Sequence, residues 1–138
     1  MKLKITAFWL VILAALFIFL QEYSRFHFFF IEQSQLFQFT GDYICGKLAM
    51  PGGFALTLSE FLVQFFRYPY AGAGITAALL LLTGMGMRGI VRRIVPDTDF
   101  FLLYLIPVIL LMFLHFDFNY LVFGTVAFDI MLLAVCLC

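Results

Sequence analysis

Four long apolar runs constrain this chain more than any other feature. They cover residues 5–22, 68–87, 100–115 and 120–138, and together they take up more than half of the sequence. A membrane-spanning helix needs about 20 mostly apolar residues. Only 12% of the residues are charged, about half the share found in soluble domains. The sequence therefore predicts an all-α fold, an integral membrane helical bundle with about four transmembrane helices in a single membrane domain, residues 1–138.

The positions of lysine and arginine predict the orientation of this bundle. Lys2 and Lys4 precede the first run, and Arg88, Arg92 and Arg93 lie between the second and third runs. Both places fall on one side of the membrane if four spans alternate, and cytoplasmic loops are the ones enriched in Lys and Arg. We therefore predict a multi-pass membrane protein with its N-terminus in the cytoplasm.

Charge and cysteine content limit the partners and cofactors. The formal net charge is zero, so no basic excess points to nucleic acid, and the lipid bilayer is the predicted partner. Three cysteines, Cys45, Cys136 and Cys138, do not make a disulfide framework, and no cofactor is predicted. No cation follows Cys138 to anchor the fourth span. We therefore expect the chain to be the N-terminal part of a longer protein, with further helices of that protein or other membrane subunits as partners.

Residues 23–67 form a predicted outer loop that is too long and too apolar to be a simple connector. Its second half begins with the helix breaker Pro51-Gly52-Gly53. The apolar side chains after this breaker share one helical face, and the polar ones share the other: Leu58, Phe61, Leu62, Phe65 and Phe66 against Thr57, Glu60, Gln64 and Arg67. This spacing predicts an amphipathic in-plane helix whose apolar stripe is buried in the lipid boundary or against the spans. Pro69 then permits a bend into the second span.

Several motifs of the loop resemble a family signature. They are FFIEQSQLF at residues 29–37, then PGG at 51–53, FLVQFFRYP at 61–69 and GA at 72–73. In this order they resemble the N-terminal region of an uncharacterised multi-pass membrane protein family of Gram-negative, gut-type bacteria, a domain of unknown function. The resemblance implies a location in the bacterial inner (cytoplasmic) membrane and a longer chain, and it implies no particular activity.

Asp129 is an acidic residue near the middle of the fourth run. A central Asp costs about 2.5–3.5 kcal/mol on insertion scales, so such residues face a bundle interior or a cavity. We expect Asp129 to be protonated and bonded to Thr76 or Thr83, or to be paired with helices beyond Cys138. Its role is then either a packing contact or part of a proton relay or substrate site.

Two short polar segments have the residue types of a metal site. His115, Asp117 and Asn119 alternate in the turn between the third and fourth runs, where they could offer nitrogen and oxygen ligands to a divalent cation or simply form a polar hairpin. Asp97-Thr98-Asp99 follows Pro96 and is similar to an acidic metal-binding pair. It also suits the N-terminal cap of the third span. We interpret both segments structurally and predict no metal site.

Glu32 and Asp42 are the candidate catalytic acids, because they follow the first span on the outer side. Multi-pass glycosyltransferases that use polyprenyl-phosphate sugars have a similar layout, with an outer acid followed by an in-plane helix. In that hypothesis Glu32 is the general base for an acceptor hydroxyl. Three functions therefore follow from the sequence: a structural or assembly module, a membrane-embedded glycosyltransferase using a lipid-linked sugar, and a transporter or proton-coupled component that depends on Asp129 and on the helix break at Pro107.

Overall fold

A computed structural model describes residues 2–96 and 101–138, and this part of the chain is all-α. Its seven helices are α1 (Lys2–Tyr23), α2 (Arg25–Ser34), α3 (Gly41–Leu48), α4 (Gly53–Val63), α5 (Ala71–Ile94), α6 (Phe101–Leu114) and α7 (Val122–Leu137), with a 3₁₀ turn at Gln64–Arg67. One of the helices α1, α5, α6 and α7 lies in each of the four apolar runs. The remaining three belong to the segment between the first two runs.

Two of the described helices are long and apolar enough to cross a membrane by themselves. These are α1, over the 21 residues Leu3–Tyr23, and α5, with 24 residues. The helices α6 and α7 have 14 and 16 residues, which correspond to about 21 and 24 Å against about 30 Å of hydrocarbon. The two long helices are the structural indication that the protein associates with a membrane.

The four apolar helices alternate in direction. Contacts between residues fix the register of each pair. Trp9 and Phe17 of α1 lie against Gly84 and Gly74 of α5, and Leu132 and Cys136 of α7 lie against Gly86 and Gly89 of α5. In α1 and α6, Phe8 contacts Phe101, and Phe19 contacts Phe116 just after the end of α6. Residue numbers run in opposite senses in the first pair and in the same sense in the other two. Consecutive apolar helices are therefore antiparallel.

The centre of the bundle is α5, which packs against α1, α6 and α7. Its buried face carries small residues, among them Ala73, Ala77 and Gly84. A Cβ atom at Gly84 would lie 2.8 Å from Cζ3 of Trp9, so the indole ring occupies the space that glycine leaves. Small residues let helices approach closely, and this explains why the most glycine-rich helix is the central one.

The segment between α1 and α5 covers one end of this bundle. The ring of Phe28 in α2 packs edge-on against Phe66 of the 3₁₀ turn, 5.3 Å away, and also touches Gly72 at the start of α5. The helices α3 and α4 form a hairpin about Pro51-Gly52-Gly53, and α4 packs on α7. Gly52 has a φ of 73°, a left-handed conformation that suits glycine. The helix predicted after this breaker is confirmed.

The predicted burial of α4 is wrong in one respect. Its buried face holds Ala55, Ser59, Glu60 and Val63. Of the expected apolar stripe, Phe66 is buried, Leu58 and Leu62 are partly buried against the core, and Phe65 is 40% exposed. Glu60, placed by the sequence on the polar face, is 8% exposed. The reason is that α4 has a helix on two sides, because it lies between α7 and α3. The short side chains of Ala55 and Ser59 permit close approach to its neighbours.

The start of α5 also differs from the predicted span. The chain leaves the 3₁₀ turn in an extended conformation at Tyr68, and Tyr70 takes a left-handed φ of 68°. The helix therefore begins at Ala71 instead of Tyr68, and it continues beyond Met87 to Ile94. A bend lies beside Pro69, where the sequence permits it.

Candidate functional site

A line of buried polar side chains lies between α5 and α7, with Asp129 at its centre. Asp129 is 5% exposed, and the Thr83 hydroxyl donates a hydrogen bond of 2.5 Å to its Oδ1 atom. Thr83 also lies 3.2 Å from the carbonyl oxygen of Leu79 in its own helix. Of the two threonines that the sequence offers as partners, the one engaged is Thr83.

The second carboxyl oxygen of Asp129, Oδ2, is the atom of this line on which its chemistry depends. Within the described residues Oδ2 has no hydrogen-bond partner, and the same holds for the buried hydroxyl of Thr76. An ionised carboxylate would place an unpaired charged oxygen among apolar side chains, which is the costly form. The geometry therefore favours the protonated acid, which has a hydrogen to donate.

A second polar group lies at the turn between α6 and α7. His115 is 1% exposed, and its Nε2 atom lies 3.0 Å from the hydroxyl of Thr125. The Tyr120 hydroxyl lies 3.0 Å from the same Thr125 oxygen. Thr125 precedes Asp129 by one turn of α7, so polar side chains continue from the outer turn to the carboxyl group.

Asp117 and Asn119 do not join His115 in a site. Both are exposed, whereas His115 points inward. The Asp117 carboxylate accepts a hydrogen bond of 2.9 Å from the backbone N–H of Asn119, as in turns that close on an aspartate. Over residues 2–96 and 101–138, no group of three or more His, Cys, Asp or Glu side chains could hold a metal ion.

His27 of α2 belongs to this group, which no spacing in the sequence indicated. Its ring is 8% exposed and packs edge-on against Phe118, with 5.0 Å between the ring centroids. Burial lowers the pKa of His27, while the Asp117 carboxylate acts in the opposite direction. Neither ring nitrogen has a hydrogen-bond partner in the part of the chain that is described.

Glu60 is the acid of the outer segment that forms strong contacts. Its two oxygens accept a 2.7 Å hydrogen bond from Tyr43 and a 2.8 Å ion-pair bond from Lys47. The bond to Glu60 raises the pKa values of both Tyr43 and Lys47. These contacts tie α3 to α4. No short spacing in the sequence could have indicated them, because the partners are 17 and 13 residues away from Glu60.

The candidate catalytic acids are less engaged. Glu32 is half-buried on α2, and Asp42 is exposed in the first turn of α3. Within the described residues neither forms a hydrogen bond or an ion pair, so nothing there holds them together as a catalytic pair. The segment Asp97-Thr98-Asp99, with its metal-binding and helix-cap interpretations, lies outside the described residues.

The end of α7 receives a cation from α5. The guanidinium of Arg93 donates to the carbonyl oxygens of Val135 and Cys136 in the last turn. A positive charge near the end of a helix satisfies free carbonyl groups and complements the helix dipole. Arg93 thus places a positive charge at the end of the fourth apolar helix, as a lysine or arginine following that helix would.

Comparison with known protein families finds a match over the whole chain. A family described as "Family of unknown function (DUF6057)" matches residues 1–138. The chain belongs to this family. The resemblance to a domain of unknown function is thereby confirmed. No curated protein and no solved structure matches the chain, and the likeness of this DUF6057 chain to glycosyltransferases remains one of layout alone.

Proposed function

We propose that this DUF6057 chain is a four-span helical bundle of the bacterial inner membrane with a structural or assembly role and a cytoplasmic N-terminus. The observation that carries the proposal is the alternation of α1, α5, α6 and α7 together with their charges. Lys4 and Arg88 line one groove, and Arg93 reaches the last turn of α7. The basic ends of α1 and α5 therefore lie at the same end of the bundle, where α7 also ends, as expected for the cytoplasmic side.

The outer surface of the bundle supports a lipid environment. Only 11% of an 18-residue apolar window in α1 is buried, so most of this hydrophobic helix has no protein cover. The lipid-facing side of α6 is equally apolar, with Leu102, Ile106, Leu110 and Phe113 between 51% and 66% exposed. Monomeric soluble proteins rarely expose continuous apolar surfaces of this kind, whereas such surfaces are compatible with surrounding hydrocarbon.

An apolar groove between α1 and α5 supports the assembly role. It has a volume of about 420 Å³, and its lining residues are Leu10, Leu13, Ala14, Phe17, Gly74 and Ala78. Gly74 and Ala78 are spaced as small residues are at helix contacts in membranes. A further transmembrane helix of the same protein or of another subunit fits such a groove.

Native cysteines allow a direct test of the topology. Cys45 is exposed on α3, and Cys138 is exposed after α7. We expect the variant C136S/C138S to react with a membrane-impermeant maleimide in intact spheroplasts. The complementary variant C45S should react only after lysis. Equal labelling of C45S before and after lysis would contradict the proposed orientation, and extraction of the protein by alkaline carbonate would contradict a membrane-spanning bundle.

A proton-coupled role is the second candidate, because one oxygen of Asp129 is buried without a partner. The polar side chains His115, Tyr120 and Thr125 extend from the outer turn toward it. In vesicles containing the protein and a pH-sensitive dye, this role predicts a proton flux that D129N abolishes. R67Q, which changes an exposed cation between α1 and α5, should retain the flux. If wild-type protein conducts no protons in either direction, the structural role stands alone.

A further inference from the structure

A basic and aromatic groove lies at the end of the bundle where α1, α5 and α6 meet. It has a volume of about 270 Å³ and is lined by Lys4, Ile5, Phe8, Arg88, Phe101 and Tyr104. The walls are apolar apart from the two cations and the Tyr104 hydroxyl. None of the described lining residues is acidic. The groove therefore combines two cationic side chains with a surface suited to hydrocarbon.

Arg88 also lines a second groove, which is formed by residues of α1 and α5. This groove measures about 320 Å³, and its walls include Trp9, Leu81 and Met85. Ile5 and Arg88 are common to both grooves. One cationic position therefore adjoins two apolar grooves, so a phosphate bound there has apolar surface beside it for acyl chains.

We propose that these grooves bind an anionic phospholipid of the cytoplasmic leaflet. Its phosphate is held by Lys4 and Arg88, and its acyl chains lie against the apolar walls that include Phe8, Phe101, Leu81 and Met85. Basic pockets between transmembrane helices on the cytoplasmic side are suited to anionic headgroups. A free phosphate would gain nothing from the apolar walls. The inference rests on the proposed membrane topology.

Trp9 provides a built-in reporter, since it is the only tryptophan and lines the second groove. The experiment uses phosphatidylcholine vesicles that contain phosphatidylglycerol, with bromine on the acyl chains of one lipid or the other. We expect brominated phosphatidylglycerol to quench Trp9 fluorescence beyond its mole fraction. Inorganic phosphate in excess should not relieve this quenching.

Charge variants make the test specific. K4Q and R88Q should each lower the preference for phosphatidylglycerol about fivefold, the value of one cation near an anionic surface. R88K should retain most of the preference, and R67Q, which changes an exposed cation of the outer segment, should leave it unchanged. Equal quenching by both lipids in the wild type would overturn the lipid site. Quenching by neither lipid would instead contradict the membrane topology itself.

Discussion

Thr83 and Asp129 illustrate what a single polar contact contributes inside an apolar bundle. Their hydrogen bond links α5 to α7, yet Thr83 also has the Leu79 carbonyl oxygen within reach in its own helix. Loss of the acid therefore does not leave the hydroxyl without a partner. The contact should set the register of the two helices and contribute little to the free energy of unfolding.

We predict a small coupling energy for this pair. Interhelical hydrogen bonds in membrane proteins average about 0.6 kcal/mol and reach about 1.7 kcal/mol. A double-mutant cycle with T83V and D129N, measured by unfolding in mixed micelles, should give a coupling within that range. A coupling above about 3 kcal/mol would indicate a buried ionised carboxylate instead of the protonated acid.

His27 should make stability depend on pH. Because burial lowers its pKa in the folded protein, the unfolded chain, with an ordinary value of about 6.5, takes up the proton first as the pH falls. The stability that neutral His27 contributes above pH 6.5 is then lost progressively below it. We expect the unfolding free energy of the wild type to fall relative to that of H27Q between pH 7 and pH 5. His115 is retained in both proteins and serves as the internal control. Parallel pH profiles would contradict the prediction.

At the scale of elements, the α3–α4 hairpin depends on the absence of a side chain at Gly53. A Cβ atom there would lie 1.9 Å from the backbone oxygen of Lys47, so the two arms of the hairpin meet at their main-chain atoms. The ion pair between Lys47 and Glu60 then joins the helices on the same side. Close backbone approach and a partly buried ion pair together define the hairpin.

Two glycine-to-alanine variants of this hairpin should have opposite effects. G53A should destabilise the protein by at least the roughly 1–3 kcal/mol of overpacking, because backbone atoms have little room to move. G46A, in the interior of α3 with nothing within 4 Å of its Cβ position, should stabilise it by about 0.5–1 kcal/mol. Unfolding free energies measured side by side would decide this. Similar values for the two variants would show that the hairpin is not closely packed.

The sequence predicted some elements better than others, for a physical reason. Helix α4 was predicted because Pro51-Gly52-Gly53 and the spacing of its apolar residues are local signals. Its buried face was not, because α7 and α3 both contact it and bury Glu60. Helix α2 was not predicted either, since its phenylalanines surround it without a single apolar face.

At the scale of the whole molecule, the parallel register of α5 and α7 is a feature of the fold that can be tested directly. A Cβ atom at Gly89 would lie 3.3 Å from Sγ of Cys136, near the distance across a disulfide bond. In the background C45S/C138S, the variant G89C should therefore lose both free thiols on mild oxidation, as measured by maleimide labelling. G74C, near the other end of α5, should keep both thiols. Retention of free thiols in G89C would contradict the register.

Membership of DUF6057 bears on the whole chain and not on any residue in it. The family covers residues 1–138, so the apolar helices and the segment between α1 and α5 belong to one family match. Since the family's function is unknown, arguments about function must come from sites. The described part of the chain offers two of them, the buried Asp129 line and the basic groove at Lys4 and Arg88.

The sequence by itself determined the all-α class, the four apolar helices and the family, because hydrophobic length and local motifs are properties of contiguous residues. It also marked Asp129 as a buried acid in need of a partner. Only the tertiary structure decided that this partner is Thr83, that Glu60 binds Tyr43 and Lys47, and that Lys4 and Arg88 line one groove. These residues are distant in the chain, and only the packing of small side chains on α5 and α4 brings the helices close enough for them to meet.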